Sequence, residues 1–178
     1  MRIVKNGDVH VSVPIGMSRS HVVAFIEEHR QWIDEARKKT LERQQQRADF
    51  YSQLPLATRL QRNEALQRLK ALVEPLVAKH SKAMGVAPSA IAYKRMVSRW
   101  GLCNVSDRSL CFSLYLLLLP DWCIEHVVVH ELCHLHEPSH NARFYALMDR
   151  FYPRWRDARK ETRRLCKKTN TENHEGLS

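Results

Sequence analysis

The segment from Asp121 to Pro138 constrains this chain more than any other. Ile124, Val127, Val128, Leu132 and Leu135 recur at the spacing of a helix with one buried face. Leu119-Pro120-Asp121 opens that helix with an acid in its first turn, where the helix dipole favours negative charge, and Pro138 is expected to end it. Inside it stands His130-Glu131-Leu132-Cys133-His134. Imidazoles at i and i+4 share one face, one turn apart, so they can close on a single ion. Glu131 lies about 100° around the helix from His130. It is poorly placed as a further ligand but can reach a water on the metal.

A catalytic zinc site takes three protein ligands and leaves one position for water or substrate. Binding lowers the pKa of that water to about 7, and a neighbouring glutamate can take its proton. The expectation is therefore one Zn2+ on His130 and His134, with Glu131 as catalytic base. His140 is the first candidate for the third ligand. The chain can turn back after Pro138, and HExxH followed by five residues and a histidine is the spacing of zincins that use three histidines. Glu137 stands where that group has a turn glycine. His136 points to roughly the opposite side of the helix from His134 and reads as a surface or supporting residue. His126, one turn before His130, reads as packing or support, with metal binding as the alternative. Glu137 ranks below both.

Elsewhere, Ile3 and the alternating Val9, Val11 and Val13 flank Asn6-Gly7, which predicts a β-hairpin. Ser18 or Ser20 can cap a helix carrying Val22, Val23, Phe25, Ile26, Trp32 and Ile33. The polar stretch from Glu42 to Arg47 reads as an extension of that helix or as a linker, and Leu54-Pro55 breaks the pattern. A second helix is expected over Leu56 to Met84 with Gly85 at its end and Pro75 kinking or splitting it. Strands are expected at Ile91–Val97, Leu102–Val105 and Ser109–Leu116, with a hairpin turn at Ser106-Asp107-Arg108. Helices follow from about Ser139 and from Arg154 to Lys168. One domain over residues 1–168 and a disordered tail over 169–178 complete the expected organisation.

The 178 residues, 44% of them hydrophobic, suffice for one real core. No run approaches the 18 or so apolar residues of a membrane span, and Met1 to Gly7 lacks a signal-peptide pattern, so a cytoplasmic location without membrane contact is expected. Five cysteines with no CxxC pair argue against a disulfide framework or a thiolate zinc site. The net charge of +10 would attract polyanions or acidic substrates. Eight basic and two acidic residues lie between Arg154 and Lys168. That helix serves either as a solvated face or as a non-specific nucleic-acid contact.

The chain resembles the YgjP-like metallopeptidase family, distant relatives of the SprT-like and WLM zinc proteases. The resemblance rests on Val127 to Leu135, on Glu137-Pro138-Ser139-His140 and Phe144, on Ser98 to Cys103, and on Leu116 to Pro120. It extends to Gly7-Asp8-Val9-His10-Val11, Phe25 and Trp32-Ile33. It implies a zincin-like α+β fold, with a small antiparallel-rich sheet packed on the active-site helix and additional terminal helices. It also implies His130, His134 and His140 as ligands and Glu131 as base. The chain departs from the family at Leu102-Cys103-Asn104, which bears on substrate contacts near Trp100 rather than on the metal.

In zincins a strand beside the active helix pairs with extended peptide, which makes Arg99 and Trp100 candidate substrate contacts. A packed tryptophan with a glycine at a bulge is the alternative. Arg143, one turn past His140, could balance an oxyanion or simply form a surface ion pair. The leading expectation is a zinc metallopeptidase acting on a peptide or protein. A metal-dependent nucleotide pyrophosphatase acting on UTP-type substrates is the second reading. It is weakened because polyphosphate chemistry usually uses magnesium or manganese on carboxylates. A nucleic-acid-associated SprT-like protease is the third, with no zinc finger or helix-turn-helix to support specific readout.

Overall fold

Capping and turn chemistry sets most element boundaries. The computed structural model describes residues 1–4 and 7–167, so Asn6 and the tail at 169–178 lie outside the described residues. The described chain divides into two compact units. One runs over Met1–Phe50 with Lys167, the other over Tyr51–Cys166.

In the first unit, β1 (Arg2–Ile3) pairs antiparallel with β2 (Val9–His10), Arg2 opposite His10 and Ile3 opposite Val9. The expected hairpin is present but stops short of Val11 and Val13. Gly7 takes a φ of 86° in the turn, a region that favours glycine. Two helices follow where one was expected: α1 (Arg19–Glu28), capped by the Ser18 hydroxyl, and α2 (Arg30–Ser52). The break is His29, whose ring Nδ1 donates to the Phe25 carbonyl at 2.8 Å while its backbone leaves helical geometry at φ −100°, ψ 13°. Such local side-chain bonding competes with the helical ladder. The Glu42 to Arg47 stretch is helical. Arg37 Nε donates to the Gly7 carbonyl at 2.8 Å and ties α2 to the hairpin.

The second unit begins with α3 (Arg59–Met84), opened by a capping box between Thr58 and Gln61 and closed by Gly85 at φ 67°. Pro75 does not split it. A buried stripe of Leu69, Val73 and Val77 holds the helix on both sides of the proline. Each such side chain contributes about 1.5–3 kcal/mol, enough together to offset a proline cost of about 3 kcal/mol.

Three strands follow: β3 (Ile91–Lys94), β4 (Gly101–Asn104) and β5 (Ser109–Ser113), in the order β3-β5-β4. The central β5 runs antiparallel to β4, as expected, but parallel to β3. Arg108, at φ 58°, turns the β4–β5 hairpin. Leu114–Leu118 forms a 3-10 turn rather than continuing the strand, begun by the Ser113 hydroxyl accepting the N–H of Tyr115.

Then come α4 (Asp121–Cys133), α5 (Ala142–Phe151) and α6 (Trp155–Leu165). Cys123, Ile124, Val127, Val128, Val129 and Leu132 are buried on α4, which packs against α3, α5, α6 and β4. The fold is mixed α+β, with six α-helices among the described residues. No described helix is long and apolar enough to cross a membrane, and all five cysteines are free.

Candidate metal centre

Helix α4 delivers His130 and Glu131 from its last turn and ends sooner than Pro138. Cys133 is its final residue and His134 its cap. Tight turns take over: Leu135 N–H bonds to the Leu132 carbonyl at 3.1 Å, and the N–H groups of His136 and Glu137 both bond to the Cys133 carbonyl. His134 Nδ1 donates to the Glu137 carbonyl at 3.1 Å. That bond fixes the tautomer and leaves Nε2 with a free lone pair. Asn141 then starts α5 by accepting the N–H groups of Arg143 and Phe144 at 2.9 and 3.2 Å, which fixes the backbone directly after His140.

The loop brings the three histidines together. One ligand atom from each of His130, His134 and His140 lies within 4.8 Å of the other two, and Nε2 of His130 is 3.0 Å from Nε2 of His140. Phe144 forms the floor, its buried ring 4.9, 4.7 and 4.7 Å from the rings of His130, His134 and His140. Burial first, then the neighbouring histidines, pushes His130 down to about 3, and burial also lowers His134. Both are therefore neutral near pH 7, the form that ligates metal. Three converging imidazoles, one with its tautomer fixed from behind, fit a single divalent ion of the zinc type.

Glu131 leaves α4 toward β4. Its carboxylate lies over Gly101, where an added Cβ would stand 2.5 Å from Oε1. Burial drives its carboxyl up to about 8, opposed by the N–H of Cys103 and by the charge of Arg99. The thiols of Cys133 and Cys103 are poor ligands, because burial pushes the first up to about 12 and the second up to about 11.

The profile of the YgjP-like family, metallopeptidase domain, matches residues 1–56 and 53–165. The chain belongs to the YgjP-like family. That makes it a domain of metallopeptidase type, for which a metal ion is implied. No curated protein and no solved structure matches it.

The remaining candidates are not members of the histidine triad. His136 is exposed, with Nε2 donating to the Met84 carbonyl at 3.0 Å. Arg143 Nε lies 3.9 Å from Glu137 Oε2, with its side chain 84% exposed. Arg99 is exposed at the entry to β4, and half-buried Trp100 uses its carbonyl to accept the Ser113 N–H at 2.9 Å. His126 is in the supporting position, its ring 6.0 Å from that of His130. Two contributors escaped the sequence reading. Gly101 was read only as the glycine of a bulge beside Trp100, and Arg159, which shares a cavity wall with His130 and His140, was hidden in the basic run of α6.

Proposed function

We propose that the protein is a zinc-dependent peptidase in which His130, His134 and His140 hold one ion and Glu131 is the general base. The observation that carries this reading is the convergence of three imidazoles, with the carboxylate of Glu131, the residue after His130, buried and seated on Gly101. An all-imidazole set suits zinc better than magnesium, which prefers oxygen ligands, and this favours peptide over polyphosphate as substrate. The sheet beside α4 and the three-histidine spacing support a zincin-like architecture. A zinc ion there would supply a Lewis acid with one coordination position open to water or a scissile carbonyl.

The chain's own groups divide the remaining work. Phe144 and the loop from His134 to Asn141 hold the imidazoles in place. Glu131, ionised by the field of the dication that the histidines would hold, accepts a proton from the attacking water at its carboxylate and passes it to the leaving amine. Gly101 and the Cys103 N–H aim that carboxylate. Arg99 and Trp100 at the head of β4 are the proposed contacts for an extended peptide, and Arg143 is a further candidate at the rim.

The test is hydrolysis of casein and of internally quenched peptides by zinc-loaded protein and by Glu131→Gln. Loss of a general base costs on the order of 10²–10⁴-fold in kcat. Full activity in Glu131→Gln would overturn the mechanism.

A further inference from the structure

A cavity of about 240 Å³ opens beside the triad, with His130 and His140 in its wall. His126, Tyr145, Trp155 and Arg159 line the rest of the part that matters here. Its aromatic side is held rigidly. Tyr145 and Trp155 stack at 5.2 Å with 23° between their planes, and Asp149 accepts the Trp155 indole N–H at 2.8 Å. The same carboxylate is taken up by Arg156 at 2.6 Å, so it does not neutralise the cavity. Arg159 has no hydrogen-bond or ion-pair partner among the described residues. His126 also leaves a buried Nδ1 without a partner. Among the described residues, no carboxylate lines the cavity.

Resting on the peptidase reading above, the geometry points to this cavity as the substrate pocket next to the scissile bond, with Arg159 selecting a carboxylate on the peptide. The stacked aromatic wall takes the apolar stem of the residue. The Arg159 guanidinium takes its anionic end, for which its planar donor fork is suited. The carboxylate comes either from an acidic side chain or from a free C-terminus.

Two measurements test this. The first is calorimetric binding of 3-phenylpropionate against 3-phenylpropanamide to zinc-loaded wild type, Arg159→Gln and Arg159→Lys. The expected result is a preference of roughly tenfold for the acid in wild type, the scale of one charge-assisted contact at a partly exposed site. Arg159→Gln should bring it to within about twofold, and Arg159→Lys should retain most of it. An equal preference in Arg159→Gln would assign the carboxylate to the metal and overturn the proposal, as would no preference in wild type.

The second compares cleavage of peptides with Glu or Gln beside the scissile bond, and with free or amidated C-termini. Whichever acid is favoured names the source, and Arg159→Gln should erase that preference. A preference that survives Arg159→Gln would overturn the assignment. If no peptide is cleaved, the peptidase reading fails, and the binding measurement alone decides the pocket.

Discussion

Oε1 of Glu131 occupies the space that a side chain on residue 101 would need: a Cβ built on Gly101 falls 2.5 Å from it and 2.6 Å from Cγ. Real Cβ atoms do not approach so closely, so the glycine is the seat of the carboxylate. Gly101→Ala must displace Glu131 while leaving the histidines in place. The expected outcome is zinc content equal to wild type and a peptidase kcat reduced by about 10²-fold or more, since displacing a general base forfeits its contribution. Zinc analysis beside steady-state kinetics separates the two effects.

Phe144 packs its buried ring against all three imidazoles. Phe144→Ala should destabilise the protein by about 3–5 kcal/mol and leave a void under the site. Denaturant melts with and without zinc read both consequences. The variant should gain less stability from added zinc than wild type does, because its ligands are less well held.

Asn141 joins the end of the histidine loop to α5 through two accepted N–H bonds. Asn141→Ala should cost about 1 kcal/mol, the usual value for an N-cap. His140 is the adjacent residue, so zinc affinity in a chelator competition should weaken as well. Asn141→Ser, which can still cap, should recover most of both.

Away from the site, Glu125 accepts from Lys79 at 2.8 Å and meets His80 Nε2 at 2.7 Å. Burial raises its carboxyl, but these two partners outweigh burial and hold it below the usual 4.5. A carboxyl depressed in the folded state adds stability that is fully present above its unfolded value and lost as pH falls through its folded value. Wild type should therefore lose part of its stability below about pH 4.5, and Glu125→Gln should lack that part of the fall. Urea melts from pH 7 downward measure it.

The start of the active helix was plain in the sequence because Pro120 and Asp121 are strong local signals. Its end was not. Pro138 marks where a helix cannot continue, whereas α4 stops at Cys133 through tight-turn bonds and the His134–Glu137 contact, which depend on three-dimensional closure. The break at His29 carries no glycine or proline and rests on one ring-to-carbonyl bond. Leu114 to Leu118 is uniformly apolar, so its period could not separate strand from 3-10 turn. The parallel β3–β5 pairing joins segments around the intervening β4 and has no local signature. In the site, His130 and His134 followed from helix geometry, and His140 from spacing and resemblance. Gly101 and Arg159 carry no motif, because their significance lies in what they face.

The proposed ligand set is three imidazoles, and X-ray absorption at the zinc edge reads it without intermediaries. Zinc-loaded wild type should show one ion per chain with three imidazole nitrogens at about 2.0–2.1 Å and one oxygen ligand. His140→Ala should show two imidazoles, and Glu131→Gln should leave the spectrum of wild type unchanged. A sulfur shell at about 2.3 Å, or an unchanged three-imidazole spectrum in His140→Ala, would contradict it.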